Sequence, residues 1–236
     1  MSTVAEQIPN AARFRQARRA HTSLLAAPEK RLLIWIARRL PRWVNSDHLT
    51  ALGAFGMLMV GASFAYARWN PAGMLLAVFW LAVNWFGDSL DGTLARVRDC
   101  QRPKYGFYVD HVVDCFGALF VLGGLALSGL MHPAIAAGLL VAYLLLSIEI
   151  YLATYTLGTF HMSFWKFGPT ELRILLAAGC LRVFWNPTAH LFGASFLLFD
   201  VGGAISIAGL LVVTLISVFR HARALARLEA NRTNRP

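Results

Sequence analysis

The sequence predicts an all-α integral membrane protein, and three observations support that prediction. Apolar residues make up 57% of the 236-residue chain and charged residues only 14%, against about 25% charged residues in typical soluble domains. The apolar residues fall in long uncharged runs, such as 49–67 and 115–148, and a helix of about 20 apolar residues crosses the hydrocarbon core. Lys and Arg are also distributed unevenly between the segments that connect these runs.

Six transmembrane helices account for the apolar runs. The run 115–148 is too long for one span, and the Gly and Pro residues between Ser128 and Pro133 divide it. The fifth span is the weakest of the six, because Glu171, Arg173 and Arg182 lie near its ends. The predicted spans are residues 49–67, 71–93, 108–130, 134–157, 170–185 and 197–219.

The basic residues predict the orientation of the chain. All of the 22 Lys and Arg residues except Arg68 and Arg182 fall on one side of the six-span arrangement. The positive-inside rule assigns that side to the cytoplasm. Both termini are then cytoplasmic, and in a bacterium the protein would lie in the inner membrane. We attribute the net charge of +10 to orientation and to anionic headgroups, and expect no nucleic-acid partner, because no aromatic-basic motif accompanies the charge.

The segment before the first span predicts an interfacial amphipathic helix. An apolar run that contains Trp35 is followed by Arg38 and Arg39, with Pro28 at the start and Pro41 at the end. A helix packed against the bundle on its aqueous side is the alternative. The expected domains are a basic cytoplasmic tail (1–27), the interfacial helix (28–41), a six-helix domain (42–220) and a second basic cytoplasmic tail (221–236).

Four aspartates in the segment from Gly87 to Gly117 are the candidate catalytic residues. Asp88 and Asp91 share one face of a predicted helix, and Asp110 and Asp114 share one face of the next. A turn between antiparallel helices would therefore bring four carboxylates together near the cytoplasmic ends of both.

Such a cluster predicts a site for hard divalent cations. Ionisable residues at membrane depth are costly and mark functional sites, and Mg2+ prefers carboxylate and phosphate oxygens. Two ions would suit displacement at a phosphorus atom. The structural alternative is an aspartate cluster neutralised by Arg96 and Arg98.

The spacing of these residues resembles the defining motif of the CDP-alcohol phosphotransferase family. All eight motif positions are present, as Asp88-x2-Asp91-Gly92-x2-Ala95-Arg96-x9-Gly106-x3-Asp110-x3-Asp114. The segment 42–52 is similar to the stretch that leads the family into its first span, although it lacks the proline often found there. The resemblance also implies a homodimer.

The resemblance implies a reaction and a role for each aspartate. Members of the family cleave a CDP-linked donor, transfer its phosphoryl-bearing group to an alcohol and release CMP. Asp88, Asp91 and Asp110 would bind two Mg2+ or Mn2+ ions. Asp114 would complete the metal site and act as the general base.

The remaining motif residues would form the nucleotide pocket. The resemblance implies this role for Gly92, Ala95, Arg96 and Gly106. Small residues such as Gly92 and Ala95 let a diphosphate approach the backbone closely. For Gly92 and Ala95, close packing of helices is the alternative.

Polar residues outside the motif suggest further roles. Lys166 and Arg173 lie at the predicted cytoplasmic mouth and would bind a phosphate on the acceptor alcohol. The alternative for both is positive-inside anchoring. Glu149, in the middle of a span, would either face the substrate cavity or form a hydrogen bond with a neighbouring helix.

The function expected is transfer of a phosphatidyl group from CDP-diacylglycerol to a polar alcohol. The alternative within the family is transfer of phosphocholine or phosphoethanolamine from its CDP derivative to diacylglycerol. A divalent-cation transporter is the remote alternative. It predicts acidic residues near the bilayer midplane, whereas these aspartates cluster at helix ends beside Arg96 and Arg98.

Overall fold

Seven helices and one short hairpin form the computed structural model, which describes residues 26–157, 168–191 and 193–233. Five of the helices (α2, α3, α4, α5 and α7) are long and apolar enough to cross a membrane. The elements are α1 (Ala26–Ala37), α2 (Ser46–Tyr66), α3 (Ala72–Val97), α4 (Pro103–Ser128), α5 (Pro133–Leu157), α6 (Pro169–Trp185), β1 (Thr188–Leu191), β2 (Ala194–Leu197) and α7 (Leu198–Thr233).

The helices confirm an all-α membrane fold, and each predicted span corresponds to one of them. The predicted break after Ser128 is also present, since α4 ends there and Gly129 adopts a left-handed conformation with φ of 74°. Helix α6 has 17 residues, which is the lower limit for crossing the hydrocarbon core, and it is not among the five long apolar helices. A sixth span therefore stays a prediction.

Two features differ from the sequence prediction. Strands β1 and β2 pair as an antiparallel hairpin between α6 and α7, with Gly193 at a φ of 82° in its turn. Helix α7 continues to Thr233, well past residue 219, where the sixth span was expected to end. The added turns are rich in Ala, Arg and Leu, which are strong helix formers.

Helix α2 contacts both helices that carry the aspartates, and glycines permit the close approach. A Cβ atom on Gly87 of α3 would lie 2.5 Å from the backbone nitrogen of Gly53 on α2. A Cβ atom on Gly124 of α4 would lie 2.1 Å from the carbonyl oxygen of Gly61 on α2. Backbone-to-backbone contact at both crossings therefore sets how α3 and α4 face each other.

Helix α1 packs one of its faces against the bundle. Leu33 and Ala37 are buried in a cluster with Leu90 and Leu94 of α3. Trp35, on another face, is 54% exposed. The helix thus lies close to the predicted range of 28–41 and covers α3, while its placement at a membrane interface stays a prediction.

Arg98 fastens the α1–α2 connection to the end of α3. Its guanidinium donates to the carbonyl oxygens of Leu40 at 3.0 Å and Pro41 at 2.9 Å, and also to that of Val44. Arg98 is therefore engaged with backbone carbonyls.

Glu149 of α5 forms a hydrogen-bonded pair with His221 of α7. Its Oε1 lies 2.5 Å from Nδ1 of the histidine, and only 9% of the Glu149 side chain is exposed. Its other oxygen, Oε2, is buried without a hydrogen-bond partner in the described part of the chain. Glu149 therefore forms a hydrogen bond with a neighbouring helix, which is one of the two roles expected for it.

Candidate active site

Three carboxylates converge where α3 and α4 face each other. Asp88 lies on α3, and Asp110 and Asp114 lie one turn apart on α4. Each offers an oxygen, and these three oxygens lie within 4.8 Å of one another. Pro103 begins α4, as suits a residue without an amide hydrogen, so the link between the two helices is short. The structure thus brings together three of the four aspartates in the motif.

Asp91 lines the same cleft but lies outside this group of three. Its Oδ2 accepts a hydrogen bond of 2.7 Å from Thr50 Oγ1, and its Oδ1 accepts one from the backbone N–H of Gly92. Because Asp91 is three residues after Asp88, it is rotated about 60° around the helix. That rotation turns it towards α2.

Arg173 of α6 brings a positive charge into the cleft. It donates from Nη2 to Asp88 at 2.5 Å and from Nε to Asn84 Oδ1 at 2.8 Å. Asn84, which is 4% exposed, in turn donates to the carbonyl oxygen of Gly53 at 2.9 Å. The guanidinium is therefore held in place by two residues of α3.

The cleft is formed by α2, α3, α4 and α6. Thr50 and Asn84 belong to it and were not predicted from the sequence. Asn84 lies four residues before Asp88 and so on the same face of α3, which is the signal that identifies it. The lining residues are Thr50, Gly53, Ala54, Met57, Asn84, Asp88, Asp91, Asp110, Val113, Asp114 and Arg173.

The residues expected to bind the nucleotide lie outside the lining of this cleft, and their role stays a prediction. Among the described residues, the cleft lining does not include Gly92, Ala95, Arg96 or Gly106. The Arg96 guanidinium donates to Thr93 Oγ1 at 3.0 Å and covers Gly92, where a Cβ atom would lie 3.3 Å from Nη1. Lys166, expected to bind the acceptor, lies outside the described residues.

The cleft fits a hard divalent cation. Its lining holds four aspartates and one arginine, and so carries excess negative charge. Carboxylate oxygens are the ligands that Mg2+ and Mn2+ prefer, and the group of three contains no softer His or Cys ligand. Because uncompensated charge is costly at membrane depth, a cation would also stabilise the cluster.

The fold and the cleft together define an integral membrane protein with an aspartate-rich site on two neighbouring helices. The family model of CDP-alcohol phosphatidyltransferases matches residues 43–216, and the chain belongs to that family. It is accordingly a transferase.

One curated relative matches part of the chain. The archaetidylinositol phosphate synthase of Pyrococcus horikoshii is 32% identical over 89 residues. The match covers 38% of this chain and 44% of that protein, so the chain aligns with less than half of the relative's length.

Proposed function

We propose that this protein transfers a phosphatidyl group from CDP-diacylglycerol to a polar alcohol and releases CMP, at a site that faces the cytoplasm. The observation that carries the proposal is the group of three carboxylates with Arg173 beside it. In the reaction, the acceptor oxygen forms a new bond to the donor phosphorus. The phosphorus–oxygen bond of the diphosphate breaks, and its electron pair leaves with CMP.

We assign the proton transfer to Asp114. It is the most exposed of the three carboxylates and so the most accessible to an acceptor. One of its oxygens would accept the proton of the acceptor hydroxyl as the new bond forms, a contribution of about 10²–10⁴-fold to the rate.

Two Mg2+ or Mn2+ ions would be held by Asp88, Asp91, Asp110 and Asp114. When bound, they would neutralise charge on the diphosphate and on the departing CMP. Thr50 fixes the orientation of the Asp91 carboxylate, which is a frequent arrangement behind metal ligands.

Further residues of the motif are proposed to bind the nucleotide. Gly92, Ala95, Arg96 and Gly106 lie towards the α3–α4 connection, on the side from which a soluble nucleotide would approach. Gly106 is exposed, and a Cβ atom there would meet nothing within 4 Å, so a ligand has room beside it.

We propose a phosphorylated polyol as the acceptor. The relative's name refers to archaetidylinositol phosphate, a lipid with a phosphorylated polyol headgroup, and a guanidinium is well suited to bind phosphate through paired N–H groups. Arg173 lies in the cleft, where it would contact such a phosphate, and Lys166 would assist. The positive charge of Arg173 among the carboxylates also opposes cation transport.

A screen of donors against acceptors tests the function. CDP-diacylglycerol is incubated with inositol phosphate, inositol, glycerol 3-phosphate or serine, and CDP-choline or CDP-ethanolamine with diacylglycerol. The expected result is CMP release with inositol phosphate, and a lipid product of the corresponding mass. If a lipid product formed with CDP-choline and none formed with CDP-diacylglycerol, the headgroup-transfer alternative would be favoured over the proposal. Full activity in excess EDTA would remove the metal role.

Asp114→Asn tests the assignment of the base. We expect the variant to retain CDP binding and to lose at least 100-fold in turnover, roughly the lower range for general-base catalysis. Asp99→Asn is the matched control, because Asp99 is exposed in the α3–α4 connection and its φ of 52° also suits asparagine. Turnover near that of the control would exclude Asp114 as the base.

A further inference from the structure

Glu29 connects three helices through one carboxylate oxygen. Its Oε1 accepts a hydrogen bond of 2.8 Å from the indole N–H of Trp85 on α3. The same oxygen accepts a bond of 2.7 Å from the hydroxyl of Thr170 in the first turn of α6. Bonds to a charged acceptor are about twice as strong as neutral ones, so this oxygen is a firm junction between α1, α3 and α6.

Both donors lie close in the chain to the cleft arginine or to a residue that holds it. Trp85 adjoins Asn84, which accepts the bond from Arg173 Nε. Thr170 precedes Arg173 by three residues, which is close to one helical turn, so the two side chains lie on neighbouring parts of the same face. A shift of the first turn of α6 would therefore displace the guanidinium directly.

The local bonds at the start of α6 do not themselves fix its position in the bundle. The backbone N–H of Gly168 donates to Glu171 at 3.0 Å, which caps the helix but joins residues of the same turn. Glu29 supplies a bond from another element. Glu29 itself is not among the described residues that line the cleft.

We propose that Glu29 is a positioning residue that holds the first turn of α6 and thereby sets the place of Arg173 in the substrate cleft. This rests on the proposed function, in which Arg173 binds a substrate phosphate. Helix α1, which lies outside the catalytic motif, then contributes to substrate affinity.

Steady-state kinetics of Glu29→Ala and Glu29→Gln test the proposal. The relevant substrate is the one whose KM rises in Arg173→Gln. Its KM should rise about tenfold in Glu29→Ala, the effect of losing one hydrogen bond between Arg173 and the substrate phosphate, with kcat within about twofold. Glu29→Gln should restore most of this affinity, because the amide oxygen accepts the same two bonds. Equal impairment of both variants, or a fall in kcat alone, would overturn the proposal.

A double-mutant cycle separates positioning from a general loss of stability. Glu29→Ala should add nothing to the KM of Arg173→Gln, because its effect passes through that arginine. Asp200→Ala is the control, since Asp200 also connects separate elements, accepting from the backbone of His132. This control should leave KM unchanged. Additive effects of Glu29→Ala and Arg173→Gln would contradict the proposal.

A distance measurement gives a result that does not depend on turnover. Spin labels at Arg31 and Leu172, both exposed, are introduced in a Cys100→Ser background, because Cys100 is an exposed thiol. The distance distribution should broaden in Glu29→Ala and not in Glu29→Gln. An unchanged distance distribution in Glu29→Ala would refute the role of Glu29 in holding α6. Absence of CMP release by the wild type would refute only the proposed function.

Discussion

Alanine should destabilise the protein at only one of two adjacent glycines of α4. A Cβ atom on Gly124 would lie 2.1 Å from the carbonyl oxygen of Gly61, whereas one on Gly123 would meet nothing within 4 Å. Since a Cβ atom needs at least 3.0 Å, Gly124→Ala forces α2 and α4 apart by about 1 Å. Overpacking of this kind costs about 1–3 kcal/mol.

The gain in helix propensity offsets only part of that cost. Alanine is favoured over glycine by about 0.8–1.0 kcal/mol in a helix interior, and a helix that stays folded in the membrane after unfolding realises less of this. We therefore expect Gly124→Ala to lower the free energy of unfolding by about 1–2 kcal/mol. Gly123→Ala should leave it unchanged or raise it by up to about 1 kcal/mol.

Unfolding by SDS in mixed micelles, followed by tryptophan fluorescence, measures both free energies. Gly124→Ala should also lower turnover, because the same helix carries Asp110 and Asp114. A Gly124→Ala variant as stable as the wild type, or a shift of the same sign in both variants, would refute the close approach of α2 and α4.

Two further predictions concern charged pairs. Arg173→Gln should tighten Mn2+ binding about tenfold, measured from the free-ion electron paramagnetic resonance signal, because it removes a positive charge from Asp88. Arg182→Gln, at the other end of α6, is its control, and weaker Mn2+ binding by Arg173→Gln would contradict the prediction. His221→Ala should lower the free energy of unfolding by about 1–3 kcal/mol, because it leaves the buried Glu149 oxygen without this hydrogen-bond partner. Glu149→Gln should cost less in the same SDS titration, and the reverse order would argue against the pair.

The 3.6-residue period of the α-helix allowed part of the cleft to be predicted from the sequence. Asp110 and Asp114 are four residues apart, so their shared face follows from the sequence, and the short connection brings them to Asp88. Asp91 was expected on the same face as Asp88, and its bond to Thr50 could not be predicted, because Thr50 is distant in the chain. When an apolar span contains a single polar residue, its sequence does not indicate which residue of another helix it contacts.

The fold was predictable to a similar extent. Apolar runs located each long helix, because length and hydropathy are local properties. The pairing of β1 with β2 was missed, since four-residue strands lack a measurable period. The Glu29 junction was missed because it joins residues separated by 141 positions.

Helix α7 is longer than the hydrocarbon core of a bilayer is thick. Residues 198–219 extend about 33 Å, close to the thickness of the hydrocarbon core. The remaining turns to Thr233 add about 21 Å, and they carry Arg220, Arg223 and Arg227. With residues 198–219 in the hydrocarbon core, a fluorophore attached near residue 228 would lie outside it, and its quenching by headgroup-labelled lipids would report changes in membrane thickness.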